Sequence, residues 1–170
     1  NLYLVTDYCE KGALLDWNQD LSIFTSSWDT KNFSDSLLKK FFYQLACGIQ
    51  YLHDQKVFHC DIKPQNILLA SKKNLTQVKL ADFGLSSEYD SHSMENEKCG
   101  TLWFMAPEQT GKTFYSRSVD IWSCGILMFL LLTGKHPFGS PKESRSVYLK
   151  KLKNPKTKRK KRKRRTKKTT

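Results

Sequence analysis

Residues 59 to 66 read His-Cys-Asp-Ile-Lys-Pro-Gln-Asn, and Asp82-Phe83-Gly84 follows sixteen residues later. These types at this spacing suit phosphoryl transfer, where a protein contributes mostly positioning and charge stabilisation. Asp61 can orient an attacking hydroxyl and accept its proton. Lys63 can neutralise phosphate charge. The amide oxygen of Asn66 and the carboxylate of Asp82 are hard oxygen donors able to hold Mg2+. The plainer reading of Asp61 is a turn or capping residue.

The surrounding elements must hold these groups still. Asn1 to Thr6 has a strand pattern, broken by the polar residues and glycine of 7–12. Residues 18–33 are polar and Ser/Thr-rich and read as a loop. From Ser34 to Asp54, Leu37, Leu38, Phe41, Phe42, Leu45, Ile49 and Leu52 recur at three- and four-residue steps, the signature of an amphipathic helix, with Ser34 or Asp35 as its cap. Ile67–Leu69 and Val78–Leu80 read as short strands around a turn at 71–76, so the chemical residues sit at strand ends and in loops. The segment 85–105 is polar and Ser-rich. Residues 118–133 form a helix apolar almost all round, which belongs inside a domain. Gly134, Pro137 and Gly139 end it.

The order of these motifs resembles that of the eukaryotic protein kinases. His59, Cys60, Asp61 and Asn66 match the catalytic loop. Asp82-Phe83-Gly84 and Ala106-Pro107-Glu108 are complete, and Asp120-Ile121-Trp122-Ser123-Cys124-Gly125 matches the family's Asp-x-Trp-x-x-Gly. The match covers about residues 1–149. The resemblance implies ATP and Mg2+ as cofactors, protein substrates, Asp61, Lys63 and Asn66 as catalytic residues, and Asn66 and Asp82 as metal ligands. It places Thr6 at the gatekeeper, the backbone of Asp7 and Cys9 at the adenine edge, and Leu68 beneath adenine. It makes 85–105 the activation segment. Lys63, two residues after Asp61, and Thr101, placed to bond both, are typical of Ser/Thr kinases. His59 and Phe83 are expected to pack as a structural spine. Asp120 is expected to accept N–H bonds from the catalytic loop.

The chain also departs from the family pattern. Cys60 replaces the Arg that normally pairs with a phosphate on the activation segment. Glu97 stands where many relatives carry the phosphorylated Thr, which suggests an activation segment independent of phosphorylation. Ser86, Ser87, Ser91 and Ser93 are the remaining candidate sites there. No Gly-x-Gly-x-x-Gly and no Val-Ala-Ile-Lys-like strand occurs, so most of the N-lobe is expected to be missing. The last C-lobe helices are expected to be missing too, leaving the 118–133 helix partly uncovered. Ala13 and Gln65 stand where basic-directed relatives carry acids, which disfavours Arg-rich substrates.

At 170 residues and 39% hydrophobic content the chain fits one domain. Its net charge of +13 is unevenly spread. Fourteen of the 29 Lys and Arg lie in 150–170, which has no acid, whereas 1–149 holds all 16 acids and is near neutral. The basic end is expected to be disordered. It has three functional readings, a nuclear import signal, a nucleic-acid arm or an anionic-lipid anchor, and the bland reading of a solvated end. An odd set of five cysteines without Cys-x-x-Cys spacing fits a reducing, intracellular compartment, cytoplasmic or nuclear. The longest apolar stretch, Ile126–Leu132, is far short of the ~20 residues of a membrane span.

The expectation is an α+β, mainly α, partial kinase-like fold. Residues 1–149 form the hinge and C-lobe, and 150–170 a basic tail. The function expected is that of a Ser/Thr protein kinase whose truncated domain is inactive alone. The alternative is a non-catalytic kinase-like binding module with a basic targeting arm. A nucleic-acid-binding protein dominated by the tail is disfavoured by the near-neutral body.

Overall fold

The computed structural model describes residues 3–18, 23–25, 34–71, 77–88, 99–111, 115–139 and 143–154. Residues 72–76 of the turn expected at 71–76, the candidate residues Ser91, Ser93 and Glu97 of the expected activation segment, and the basic run from 155 lie outside the described residues.

Helix α1, Asp35–Asp54, buries Leu38, Phe41, Leu45 and Ile49, one stripe of the expected period. Ser34, in extended conformation, is the cap: its hydroxyl accepts the Leu37 N–H at 3.2 Å. Asp35 is instead the acidic residue of the first turn, where it complements the helix dipole.

The strands are short. β1 (Gly12–Ala13), β5 (Ile67–Leu69) and β6 (Val78–Leu80) form one antiparallel sheet in the order β1-β5-β6. Its face rests on α1: the Val78 N–H donates to Gln44 Oε1 at 3.1 Å, and Leu80 lies against Gly48. β2 (Asp16–Asn18) pairs with β3 (Ile23–Thr25), and β4 (Val57–Phe58) with β7 (Ser87–Glu88). The β2–β3 hairpin corrects the reading of 18–33 as loop throughout. Ile23, Phe24 and Thr25 are strand-favouring residues whose signal is hidden among polar neighbours.

The strand expected at the start is not formed. Residues 3–9 have no regular structure, and Tyr3, Leu4, Val5 and Tyr8 are each at least 80% exposed. A strand must share its N–H and C=O groups with a neighbour, and no described strand pairs with this segment. Its backbone meets the sheet at Glu10 and Lys11, whose N–H groups donate to Ala70 and Leu69 carbonyls.

Helix α2, Ser118–Thr133, buries Val119, Asp120, Ser123, Ile126, Leu127 and Leu130. Ile121, Met128, Phe129 and Leu132 on its other side stay exposed, so its all-round apolarity does not make it all-round buried. Gly134 closes it in the left-handed conformation (φ 66°), its N–H donating to the Leu130 carbonyl at 2.8 Å. Helix α3, Arg145–Lys153, follows, with Tyr148 and Leu152 buried. The expected start of the basic tail at 150 therefore falls inside a packed helix. Lysines 150, 151 and 153 masked its apolar pair, which is spaced four apart.

Core residues from α1, α2 and β5, with Ile62 and Phe104, form one cluster. An aromatic group centred on Trp103, His136 and Tyr148 extends it toward α3. His136 Nε2–H donates to the Trp103 carbonyl at 2.6 Å, and its Nδ1 accepts the Phe138 N–H at 3.3 Å. The second bond needs the neutral ring, because a protonated Nδ1 cannot accept; the first survives protonation. Burial holds this imidazole below its ordinary value, against the pull of the Trp103 carbonyl. The folded state thus binds this proton less well than the unfolded chain. The stability His136 contributes is complete above the unfolded value of 6.5 and is lost as pH falls below it. Urea unfolding midpoints should drop between pH 7 and 5, and His136→Gln should flatten that part of the profile. An equal slope in both proteins would contradict the assignment.

Candidate active site

The sequence around Asp61 folds into a loop between β4 and β5. The loop is stiffened by a 3-10 turn at Pro64–Asn66, whose proline presets the backbone. Asp120, at the start of α2 and 1% exposed, anchors the loop from beneath. Its Oδ2 accepts the His59 N–H at 3.0 Å and lies 2.8 Å from His53 Nε2, while Oδ1 accepts the Cys60 N–H at 3.0 Å. The loop-anchoring role expected of Asp120 matches this geometry. The His53 contact was not anticipated; its only sequence signal is a histidine in the last turn of α1.

Cys60 adopts φ 65°, a left-handed conformation rare for a residue with a side chain. The turn reverses the chain so that Asp61 points toward the segment around Thr101. Asp61, 3% exposed, is held on both oxygens. Thr101 N–H donates to Oδ1 at 2.8 Å. Lys63 Nζ at 2.6 Å and Asn66 Nδ2 at 3.2 Å donate to Oδ2. Lys63 Nζ also donates to Thr101 Oγ1 at 3.0 Å. Asp61, Lys63, Asn66 and Thr101 thus form a single hydrogen-bonded group.

Asn66 Nδ2 also donates to the Asp61 carbonyl at 3.0 Å. With the amide nitrogen committed to Asp61, the side-chain oxygen remains as the acceptor end. The Asn66 carbonyl accepts the Ala81 N–H at 2.9 Å, which carries the chain directly into Asp82. His59 Nε2–H donates to the Ala81 carbonyl at 3.0 Å, and the buried His59 ring lies 5.0 Å from that of Phe83; Phe83 itself is 46% exposed, so the expected spine is packed only at its His59 end. Asp82 has φ 61°, a conformation Asp tolerates better than most side chains. It is exposed, and its Oδ1 accepts the Gly84 N–H at 3.3 Å.

The hinge residues are placed differently. Thr6 and Asp7 are exposed, and Cys9 is half-buried. The Asp7 carboxylate pairs with Lys79 on β6, which lowers the carboxyl and raises the ammonium from their usual values. The Cys9 carbonyl accepts the Gly12 N–H at 3.0 Å and closes a turn, so that atom is engaged within the chain. Leu68 is half-buried on β5 opposite Ala13. None of these four shares a hydrogen bond with the Asp61 group among the described residues.

The segment Cys99–Gly100–Thr101 is pressed onto the Asp61 loop. Gly100 has φ 104°, and a Cβ there would sit 2.6 Å from the Cys60 carbonyl oxygen. The buried Gln109 holds the segment from the other side, donating to the Cys99 carbonyl at 3.4 Å and accepting the Ala106 N–H at 2.8 Å. Sequence reading missed Gln109, because a glutamine after Ala-Pro-Glu carries no visible signal. Gly100→Ala should lower unfolding free energy by about 2 kcal/mol or more through backbone strain and this overlap. A change below about 0.5 kcal/mol in urea titrations would contradict the close approach.

The structure thus brings together a buried carboxylate held by a lysine, an asparagine and a backbone N–H, with a second carboxylate just past the adjoining strand. The family model of the protein kinase domain matches residues 1–169, and the chain belongs to the protein kinase family. Among curated relatives, it is 37% identical over 140 residues to the carbon catabolite-derepressing protein kinase of Secale cereale, covering 81% of this chain and 25% of that protein. It is 36% identical over 141 residues to the ovarian-specific serine/threonine-protein kinase Lok of Drosophila melanogaster, covering 81% and 28%. It is 34% identical over 158 residues to the human serine/threonine-protein kinase ULK1, covering 88% and 14%. The chain therefore spans between about one seventh and little more than a quarter of the lengths of these relatives. No helix of the described residues is long and apolar enough to cross a membrane.

Proposed function

We propose that this chain carries the phosphoryl-transfer site of a protein serine/threonine kinase. The observation that carries the reading is the grip on Asp61 by Lys63, Asn66 and the Thr101 N–H. Asp61 orients the substrate hydroxyl and takes its proton as that oxygen attacks. Lys63 neutralises charge that builds on the transferring phosphate, and Thr101 fixes the lysine in place. The Lys63–Thr101 pair supports Ser/Thr rather than Tyr specificity.

The donor set fits Mg2+. Asn66 turns its nitrogen to Asp61 and keeps its oxygen as an acceptor, and Asp82 adds an exposed carboxylate, both hard ligands. Bound Mg·ATP would supply the phosphoryl group and offset its charge. Thr6, the backbone of Asp7 and Cys9, and Leu68 are assigned to the adenine side.

A glycine-rich loop and a Lys–Glu pair normally cover the ATP phosphates, and this sequence has no glycine-rich motif. The 170-residue chain alone should therefore give negligible Mg·ATP-dependent labelling of casein or histone. The same chain joined at its first residue to a glycine-rich kinase lobe should label them. Efficient transfer by the chain alone would overturn the requirement for that lobe. A folded but inactive joined protein would favour a second reading, a kinase-like binding module whose basic end engages an import receptor or nucleic acid. The exposed apolar residues of 3–8 favour that second reading.

A further inference from the structure

The catalytic loop and the segment before Thr101 meet through two thiols. Cys60 is 3% exposed and belongs to a buried cluster with Phe58, Ala106, Tyr115 and Val119. Cys99, half-buried, packs against the same cluster. The Tyr115 hydroxyl lies 2.8 Å from Cys99 Sγ. The two backbones also touch where Gly100 abuts the Cys60 carbonyl. Both thiols are free.

We propose that Cys60 and Cys99 form a peroxide-sensitive site that closes into a disulfide between the catalytic loop and the segment leading to Thr101. The inference is independent of whether the chain transfers phosphate. The two thiols have different roles. The Cys60 thiol and the Tyr115 hydroxyl beside Cys99 favour its thiolate against the opposing cost of burial. Cys60 is pushed the other way, first by the neighbouring Cys99 thiol and then by burial. Cys99 is also the more exposed of the two, so it meets the oxidant and Cys60 resolves.

In the first step the Cys99 thiolate attacks one peroxide oxygen. The O–O bond breaks, the other oxygen leaves as hydroxide and takes up a proton as water, and Cys99 becomes a sulfenic acid. In the second, Cys60 sulfur attacks that sulfur. The S–S bond forms as the S–O bond breaks, and the hydroxide leaves with the Cys60 proton as water. Two thiols are oxidised by two electrons in total, and one peroxide is reduced to two waters. The sulfurs must close to ~2.05 Å, with the χ₃ torsion of a normal disulfide, so the Cys99 segment moves toward the loop. Because Thr101 is two residues on, closure bears directly on its bond to Asp61.

The folded 170-residue chain, treated with graded hydrogen peroxide, alkylated and digested with trypsin without reduction, tests this. Cleavage after Lys56 and Lys98 puts the two cysteines on separate peptides. The expected result is a linked Cys60–Cys99 pair, with matched loss of alkylation at both while the exposed Cys47 is still alkylated. Cys124, whose thiol burial raises to about 11, should also be spared. In guanidinium the selectivity should vanish. Cys60→Ser should leave a sulfenic acid on Cys99 that a dimedone probe captures. Oxidation of Cys47 before the pair, or a Cys99 sulfinic acid in wild-type protein with Cys60 still alkylatable, would overturn the proposal.

Discussion

Asp61→Asn, in the chain joined to a glycine-rich kinase lobe, should lower kcat by about 10²–10⁴-fold, the usual contribution of a positioned general base. This corresponds to roughly 3–5.5 kcal/mol of lost transition-state stabilisation. The substitution is nearly isosteric. The amide oxygen can still accept the Thr101 N–H now bonded at 2.8 Å, so the loop should keep its place. Two things are lost. No group accepts the hydroxyl proton, and the Lys63 ammonium, 2.6 Å from Oδ2, loses its counter-charge and is free to shift from Thr101. Both losses act in the transition state, so kcat and kcat/KM should fall together with KM nearly unchanged. A loss under tenfold, with unfolding unaltered, would show that Asp61 is a structural turn residue.

The second large effect is on stability. Asp120→Ala removes the acceptor for two buried backbone N–H groups, those of His59 and Cys60, and the partner of His53. Each buried donor left without a partner costs about 1–3 kcal/mol. A loss of about 3 kcal/mol or more in unfolding free energy follows, a large part of the ~5–15 kcal/mol of a typical domain. Cys60 is held in its left-handed turn by one of these bonds, so the catalytic loop should loosen as well. Asp120→Asn keeps one acceptor oxygen and should fall between wild type and Ala. Urea titrations with an unchanged m-value are the check. A loss below 1 kcal/mol for Ala would mean that water or another group replaces the carboxylate.

The parts of this fold legible in the sequence were those where one local pattern decides the outcome. The α1 stripe, its Ser34 cap and the Gly134 stop are short-range patterns, and they are present as read. The β5 and β6 strands were legible because apolar runs flank a polar turn. What escaped depends on distant partners. The 3–9 segment has strand-favouring residues, but a strand exists only with a neighbour. The β2–β3 hairpin is too short to show a period. In α3, Tyr148 and Leu152 are one turn of apolar residues among lysines, and only their burial, with Tyr148 against Trp103, reveals them.

The site divides the same way. Asp61, Lys63 and Asn66 lie within six residues, so their meeting was visible from spacing. Thr101 and Asp120 were placed through the kinase resemblance, and both make the contacts it implied. His53, Gln109 and the Cys60–Cys99 contact were not visible, since each is a tertiary meeting of residues separated by tens of positions. Cys60 was legible as a missing arginine; its thiol partner was not.

The most direct test of the central claim uses the lobe-completed chain and its Asp61→Asn form side by side. Each receives radiolabelled ATP, Mg2+ and a matched set of peptides differing only in Ser, Thr or Tyr as the acceptor, followed by phosphoamino-acid analysis. The account predicts phosphoserine or phosphothreonine from the wild-type site, little or no phosphotyrosine, and label reduced at least a hundredfold in the Asn form. Equal labelling by both forms, or phosphotyrosine as the main product, would contradict it.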